Sequence, residues 1–168
     1  MIRQIILALF LFLMQVLVLN NLELSVYINP YVYPLIILGL PLKTTRPILL
    51  FMAFGIGLLM DLFLNSAGMH AASLLCLAFM RPFVIQSLSP RSNIPMEDML
   101  SVKNVGISSF FYYTVILVFL HHLVYFFLEI FSMTQFFQTM LKIILSTAFS
   151  TLLIVLSSIL FAPNKSRV

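Results

Sequence analysis

Charge is what this sequence has least of. Only 8% of its 168 residues are Asp, Glu, Lys or Arg, against 62% that are hydrophobic, and the mean hydropathy is +1.13. A water-soluble domain of this length cannot hide so much apolar surface in one core, so the chain reads as an integral membrane protein. The length suits one compact domain of spanning helices with short connections. It leaves no room for a soluble catalytic domain or a nucleic-acid module. The net charge of +4 does not bring nucleic acid back as a partner, because the basic residues are scattered singly through the connections and read as topology information. Cysteine is limited to Cys76, inside an apolar run. That excludes a disulfide framework within the chain and leaves a small packing residue. There is no phosphate-cradling glycine loop, no Ser/His/Asp arrangement, no row of intramembrane arginines, no internal repeat and no low-complexity segment. No cofactor is expected and no enzyme. No metal site is expected either, since His121 and His122 stand about 100° apart on a helix and cannot share a ligand face.

What is there is a succession of apolar runs. They predict an all-α, polytopic membrane bundle of six transmembrane helices, at about 5–19, 31–42, 48–64, 69–85, 105–128 and 139–161, in one domain spanning 1–168. The first run follows Arg3 closely enough to mimic a signal peptide, yet Asn20, Asn21, Leu22 and Glu23 follow it in place of a small-residue cleavage pattern, so it is expected to stay as a helix. The second is short for a crossing at ~1.5 Å per residue and either borrows Tyr31 and Val32 or enters tilted, broken or re-entrant. Arg81 and Pro82 are expected to close the fourth helix, with Arg81 reaching lipid phosphates. A short surface helix is expected to begin at Pro95, and Ser146, Ser150 and Ser157 recur on one side of the sixth run. Six crossings put both termini on one side. With that side cytoplasmic, Arg3, Lys43, Arg46, Arg81, Arg91, Lys103, Lys165 and Arg167 fall inside and only Lys142 outside, the bias that sets orientation in membranes.

Two runs, from Pro47 to Pro82, predict a tight helical hairpin. Ala53, Gly57 and Asp61 stand four apart on the first, and Gly68, Ala72 and Cys76 four apart on the second. Each set makes a stripe along which two backbones approach. Asp61 is a carboxylate in an otherwise uncharged apolar stretch. Either it caps the next helix and ties the hairpin, or it is paired with His70, His121, His122 or Lys142 and marks a functional position. Asp61, His70, His121, His122, Glu129 and Lys142 all fall toward the outer face. They either line a shared outward pocket or collect there because interfaces tolerate polar groups.

Between positions 29 and 82 the chain reads Asn-Pro-Tyr-Val-Tyr-Pro-Leu-Ile-Ile-Leu-Gly-Leu-Pro-Leu, then Arg-Pro, then Phe-Gly-Ile-Gly-Leu-Leu-Met-Asp-Leu-Phe and Ser-Ala-Gly-Met-His-Ala-Ala. This order of features resembles the rod shape-determining MreD family, at Pro30, Pro41, Gly57, Asp61 and Gly68. The resemblance implies a non-enzymatic component of the bacterial cytoplasmic (inner) membrane with both termini cytoplasmic. It would support rod shape and peptidoglycan synthesis by binding MreC, and through it the RodA polymerase, its class B transpeptidase and MreB filaments. Gly57, Asp61, Gly68, His70, Ala72, His121 and His122 then become helix-packing positions and a possible partner surface. The family is also considered similar in fold to the substrate-binding subunits of energy-coupling-factor vitamin transporters, which supplies a second expectation, a ligand-binding transporter subunit.

Overall fold

A computed structural model describes residues 2–22, 26–88, 101–130 and 136–161. Where no water reaches the backbone, its polar groups must be paired within the segment, and uninterrupted apolar runs therefore wind into helices. Among the described residues these are α1 (Ile2–Leu17), α2 (Leu35–Leu38), α3 (Arg46–Leu64), α4 (Met69–Leu88), α5 (Val102–Val105), α6 (Ile107–Ile130) and α7 (Phe136–Phe161), with a 3-10 turn at Leu19–Asn21 and no strand. The all-helical class holds among the described residues. Four helices, α3, α4, α6 and α7, are long and apolar enough to cross a membrane.

Six continuous spans are not present among the described residues. The second expected helix, 31–42, is helical only at Leu35–Leu38. Pro30, Pro34 and Pro41 explain the break, since each lacks an N–H and drives the residue before it out of the helical region. Non-helical backbone at membrane depth survives only where protein covers it. Here Tyr33, Ile37 and Leu38 are fully buried, and Tyr31 and Val32 nearly so. The cover is a row in which α3 packs on α4, α4 on α6 and α6 on α7. Helix α1 touches both ends of the row, Phe12 against Phe63 and Phe10 against Phe161, with ring centroids 5.6 and 5.7 Å apart. Five helices thus enclose a broken central segment.

The α3–α4 hairpin forms. Helix α3 starts behind Thr45 in extended backbone with Pro47 in its first turn, and stops at Asn65, whose left-handed φ of 56° ends the helical ladder. The two stripes do not meet as expected, however. Gly57 lies on the backbone of Ala71 and His70, while Ala72 and Cys76 are only half-buried and Gly68 sits in the turn at φ +87°. Ala78, two turns beyond Ala71, lines a cleft with Leu49 and Leu50 of α3. The stripe facing α3 is therefore offset by one residue.

Two further expectations are corrected. Helix α4 runs through Pro82 to Leu88, and Arg81 points inward, 2% exposed, away from lipid phosphates. The polar stripe of α7 is Ser146, Ser150 and Ser158, all buried, with Ser157 turned aside; Ser158 keeps the four-residue spacing that Ser157 breaks. The surface helix expected at Pro95, together with Arg91, Lys165 and Arg167 of the charge bias, lies outside the described residues.

Candidate functional site

The broken segment needs partners for its bare backbone, and side chains from four helices supply them. Extended backbone presents polar groups to alternate edges. On one edge Gln15 of α1 accepts the Val32 N–H at 2.7 Å and donates to the Pro30 carbonyl at 3.0 Å and to Asn20 Oδ1 at 2.8 Å. On the other, Ser146 and Ser150 of α7 accept the N–H groups of Asn29 and Tyr31 at 3.0 and 2.8 Å. Lower down, Arg81 Nε donates to Tyr113 Oη at 2.9 Å, its Nη2 donates to the Leu38 and Leu40 carbonyls, and Tyr113 donates to the Leu38 carbonyl at 3.0 Å.

With its main chain held, the segment sets two tyrosines among three histidines. Tyr33 Oη lies 3.0 Å from His70 Nδ1 and 2.5 Å from His121 Nε2. Ser73 Oγ is 3.1 Å from that same Nε2 and donates to the His70 carbonyl at 3.1 Å. His122 turns the other way. Its Nδ1 meets the Val118 carbonyl at 2.8 Å, which requires the proton on Nδ1 and leaves Nε2 to accept from Ser150 Oγ at 3.4 Å. Tyr33 has one proton for two imidazoles, so it donates to one and accepts from the other. The far nitrogens, His70 Nε2 and His121 Nδ1, then present one donor and one acceptor, and neither has a partner among the described residues. Tyr31 covers the group, its ring 5.3, 5.8 and 5.4 Å from His70, His121 and His122, and Tyr125 lies 4.6 Å from His70. Above these two tyrosines opens a cavity of about 220 Å³, lined also by Leu19, Asn20, Leu22, Asn29, Pro30 and Leu64.

Of the expected site residues, His70, His121 and His122 come together, but Asp61 does not pair with any imidazole. Asp61 Oδ1 accepts from Ser66 Oγ at 2.7 Å and from the His70 N–H at 2.9 Å, and Oδ2 accepts the Ala71 N–H at 2.9 Å. A side chain of α3 thus caps the first turn of α4, where free N–H groups and the helix dipole match a negative charge. Lys142 is taken by Glu129 at 2.8 Å. Among the described residues no group of three or more His, Cys, Asp or Glu converges as a metal site would require. Asp61→Asn is expected to lower stability by about 1–3 kcal/mol, because an amide donor replaces an acceptor that faces an N–H. Unfolding in mixed micelles measures this, and an unchanged midpoint would remove the capping account.

The sequence does not single out Gln15, Ser73 or Tyr125, and it suits Tyr31 and Tyr33 to aromatic anchors of an interfacial loop, whereas both are buried and Tyr33 completely so. Gln15 carried a signal, being the one polar side chain in the run 5–19. Comparison of the chain with protein-family models, with curated proteins and with solved structures returns no match.

Proposed function

We propose that this protein is a non-enzymatic membrane scaffold of the bacterial cell-elongation machinery, of the MreD kind, acting through MreC in the cytoplasmic membrane with both termini in the cytoplasm. The observation that carries the reading is what the family-like positions do. Pro30 and Pro41 bracket the broken segment, Gly57 lets α3 meet α4, Asp61 caps α4, and Gly68 turns the hairpin at φ +87°. All of them shape one stiff unit and none is left for chemistry. Beside that unit α3 exposes Phe51, Phe54, Leu58 and Leu62, a smooth apolar face suited to lipid or to a partner's spanning helix. Purification in mild detergent is expected to bring MreC with the intact protein, and less of it with Leu58→Arg. Recovery without MreC would overturn the proposal.

A second reading, the ligand-binding subunit of a transporter, is favoured by the cavity above Tyr31 and Tyr125. The same purification separates the two, since a transporter subunit would bring its ATPase module in place of MreC.

A further inference from the structure

Helices α1 and α3 meet in their second halves, where Phe12 packs on Phe63, but between their first halves the bundle is open. The gap is a cleft of about 170 Å³. Its walls are α1, with Ile5 and Leu11 among them, and Met52 of α3, and its floor is the broken segment from Leu35 to Pro41, where that segment turns toward α3. Every described residue of the lining is apolar.

That lining restricts what fills the cleft. Water would find no hydrogen-bond partners among such side chains, and an empty cleft forfeits the dispersion contacts of its walls. A partner's helix, about 10–12 Å across with its side chains, is too wide to enter. The volume equals the liquid volume of roughly six water molecules, which is the size of a short run of methylene groups. One extended acyl chain of the surrounding bilayer fits.

Charge selects the head to which that chain belongs. Each of the three elements around the cleft carries a basic residue beyond the same end of it: Arg3 two residues before Ile5 on α1, Lys43 two residues after Pro41, and Arg46 at the start of α3, six residues before Met52. Lys43 and Arg46 are exposed, and the Arg46 guanidinium stands 5.5 Å over the Phe83 ring. Among the described residues the acidic side chains are engaged at the other end of the bundle, Asp61 by three donors and Glu129 by Lys142; Glu23, Glu97 and Asp98 lie outside them. Basic residues gathered between helices at a membrane surface attract anionic lipid heads. We propose that the cleft between α1 and α3 holds one acyl chain of a phospholipid with a negatively charged head, the head lying at the level of Arg3, Lys43 and Arg46. The bound chain then covers the broken segment on the side where α1 and α3 part. This needs only that the long helices span a membrane, so it is independent of MreC binding and of transport.

The intact protein is placed in nanodiscs of equal parts phosphatidylglycerol and phosphatidylcholine with the same acyl chains, and the lipid it retains is read by native mass spectrometry. Phosphatidylglycerol is expected to be retained at least about fivefold over phosphatidylcholine, the factor that one basic residue near a membrane surface supplies. Lys43→Gln combined with Arg46→Gln is expected to bring that preference close to parity while the melting temperature in neutral detergent stays near wild type. If the double variant folds poorly, Arg3→Gln reads the same charge and is expected to weaken the preference. Ala8→Phe sets a ring into the cleft from a half-buried wall position, and is expected to reduce retention of both lipids without lowering the melting temperature. Glycerol phosphate, the head without its chains, is expected not to bind, which separates a lipid site from a site for free phosphate. The proposal is overturned if phosphatidylcholine is retained as well as phosphatidylglycerol, or if the charge variants keep the wild-type preference, which would leave these basic residues with orientation alone. It is overturned equally if Ala8→Phe retains phosphatidylglycerol like wild type or if glycerol phosphate binds by itself.

Discussion

Gly57→Ala is expected to cost at least about 3 kcal/mol of stability, at or beyond the upper end of ordinary overpacking. A Cβ at this position would lie 2.4 Å from Ala71 Cα, 2.8 Å from Ala71 N and 2.9 Å from the His70 carbonyl oxygen. Carbon atoms attract best at roughly 3.5–4.0 Å, so these are collisions. The obstructing atoms are main chain, which cannot swing aside like a side-chain tip. Nor can the first turn of α4 retreat as a whole, because Asp61 of α3 holds the N–H groups of these same two residues, both at 2.9 Å. One α3 side chain thus pulls α4 inward where one α3 glycine makes room for it. Gly55 is the control, with open space around its would-be Cβ. Gly55→Ala is expected to be neutral or to gain up to ~1 kcal/mol from helix propensity. Unfolding of both variants in mixed micelles tests this, and equal midpoints would remove the close-approach argument.

Arg81→Met is expected to be the second severe change. The side chain is 2% exposed and has no carboxylate within ion-pair distance among the described residues. Its partners are carbonyls, those of Leu38 and Leu40 at the end of the four-residue α2, together with Tyr113 Oη. Methionine fills similar space and offers no donor, leaving the Leu40 carbonyl bare in an apolar interior. At about 1.5 kcal/mol or more for each charge-assisted hydrogen bond, the loss is of the order of 3 kcal/mol. Arg81→Lys keeps the charge without the planar fork and is expected to recover part of it. Cys76, half-buried on the same helix, gives a local readout. Its maleimide labelling is expected to speed up in Arg81→Met, and wild-type labelling with wild-type melting would show that Arg81 does not hold the segment.

The histidines show how far sequence reached into the site and where it stopped. That His70, His121 and His122 fall at one level of the bundle follows from their places near corresponding helix ends, which hydropathy alone marks. That His121 reaches Tyr33 while His122 reaches Ser150 could not be read, because it depends on which face of α6 meets α4 and which meets α7. Asp61 is similar. Its spacing from Gly57 marked a special position on α3, but its two possible roles differ only in where the next helix begins, and the left-handed Asn65 and the turn through Gly68 decide that.

Composition and periodicity by themselves determined that the chain is a helical membrane protein, where its long helices run and that 47–82 folds back on itself. Those properties are local, set by apolar length and by the need to pair the backbone away from water. Only the tertiary structure decided that the second span is broken, that Arg81 and Gln15 face inward, and that α4 presents Ala71 in place of Ala72 to Gly57. Prolines at 30, 34 and 41 leave main-chain groups unpaired, and those groups are satisfied by side chains distant in sequence that only packing brings near. The physical reason is that a helix completes its own hydrogen bonds, whereas a broken segment borrows them from whatever encloses it.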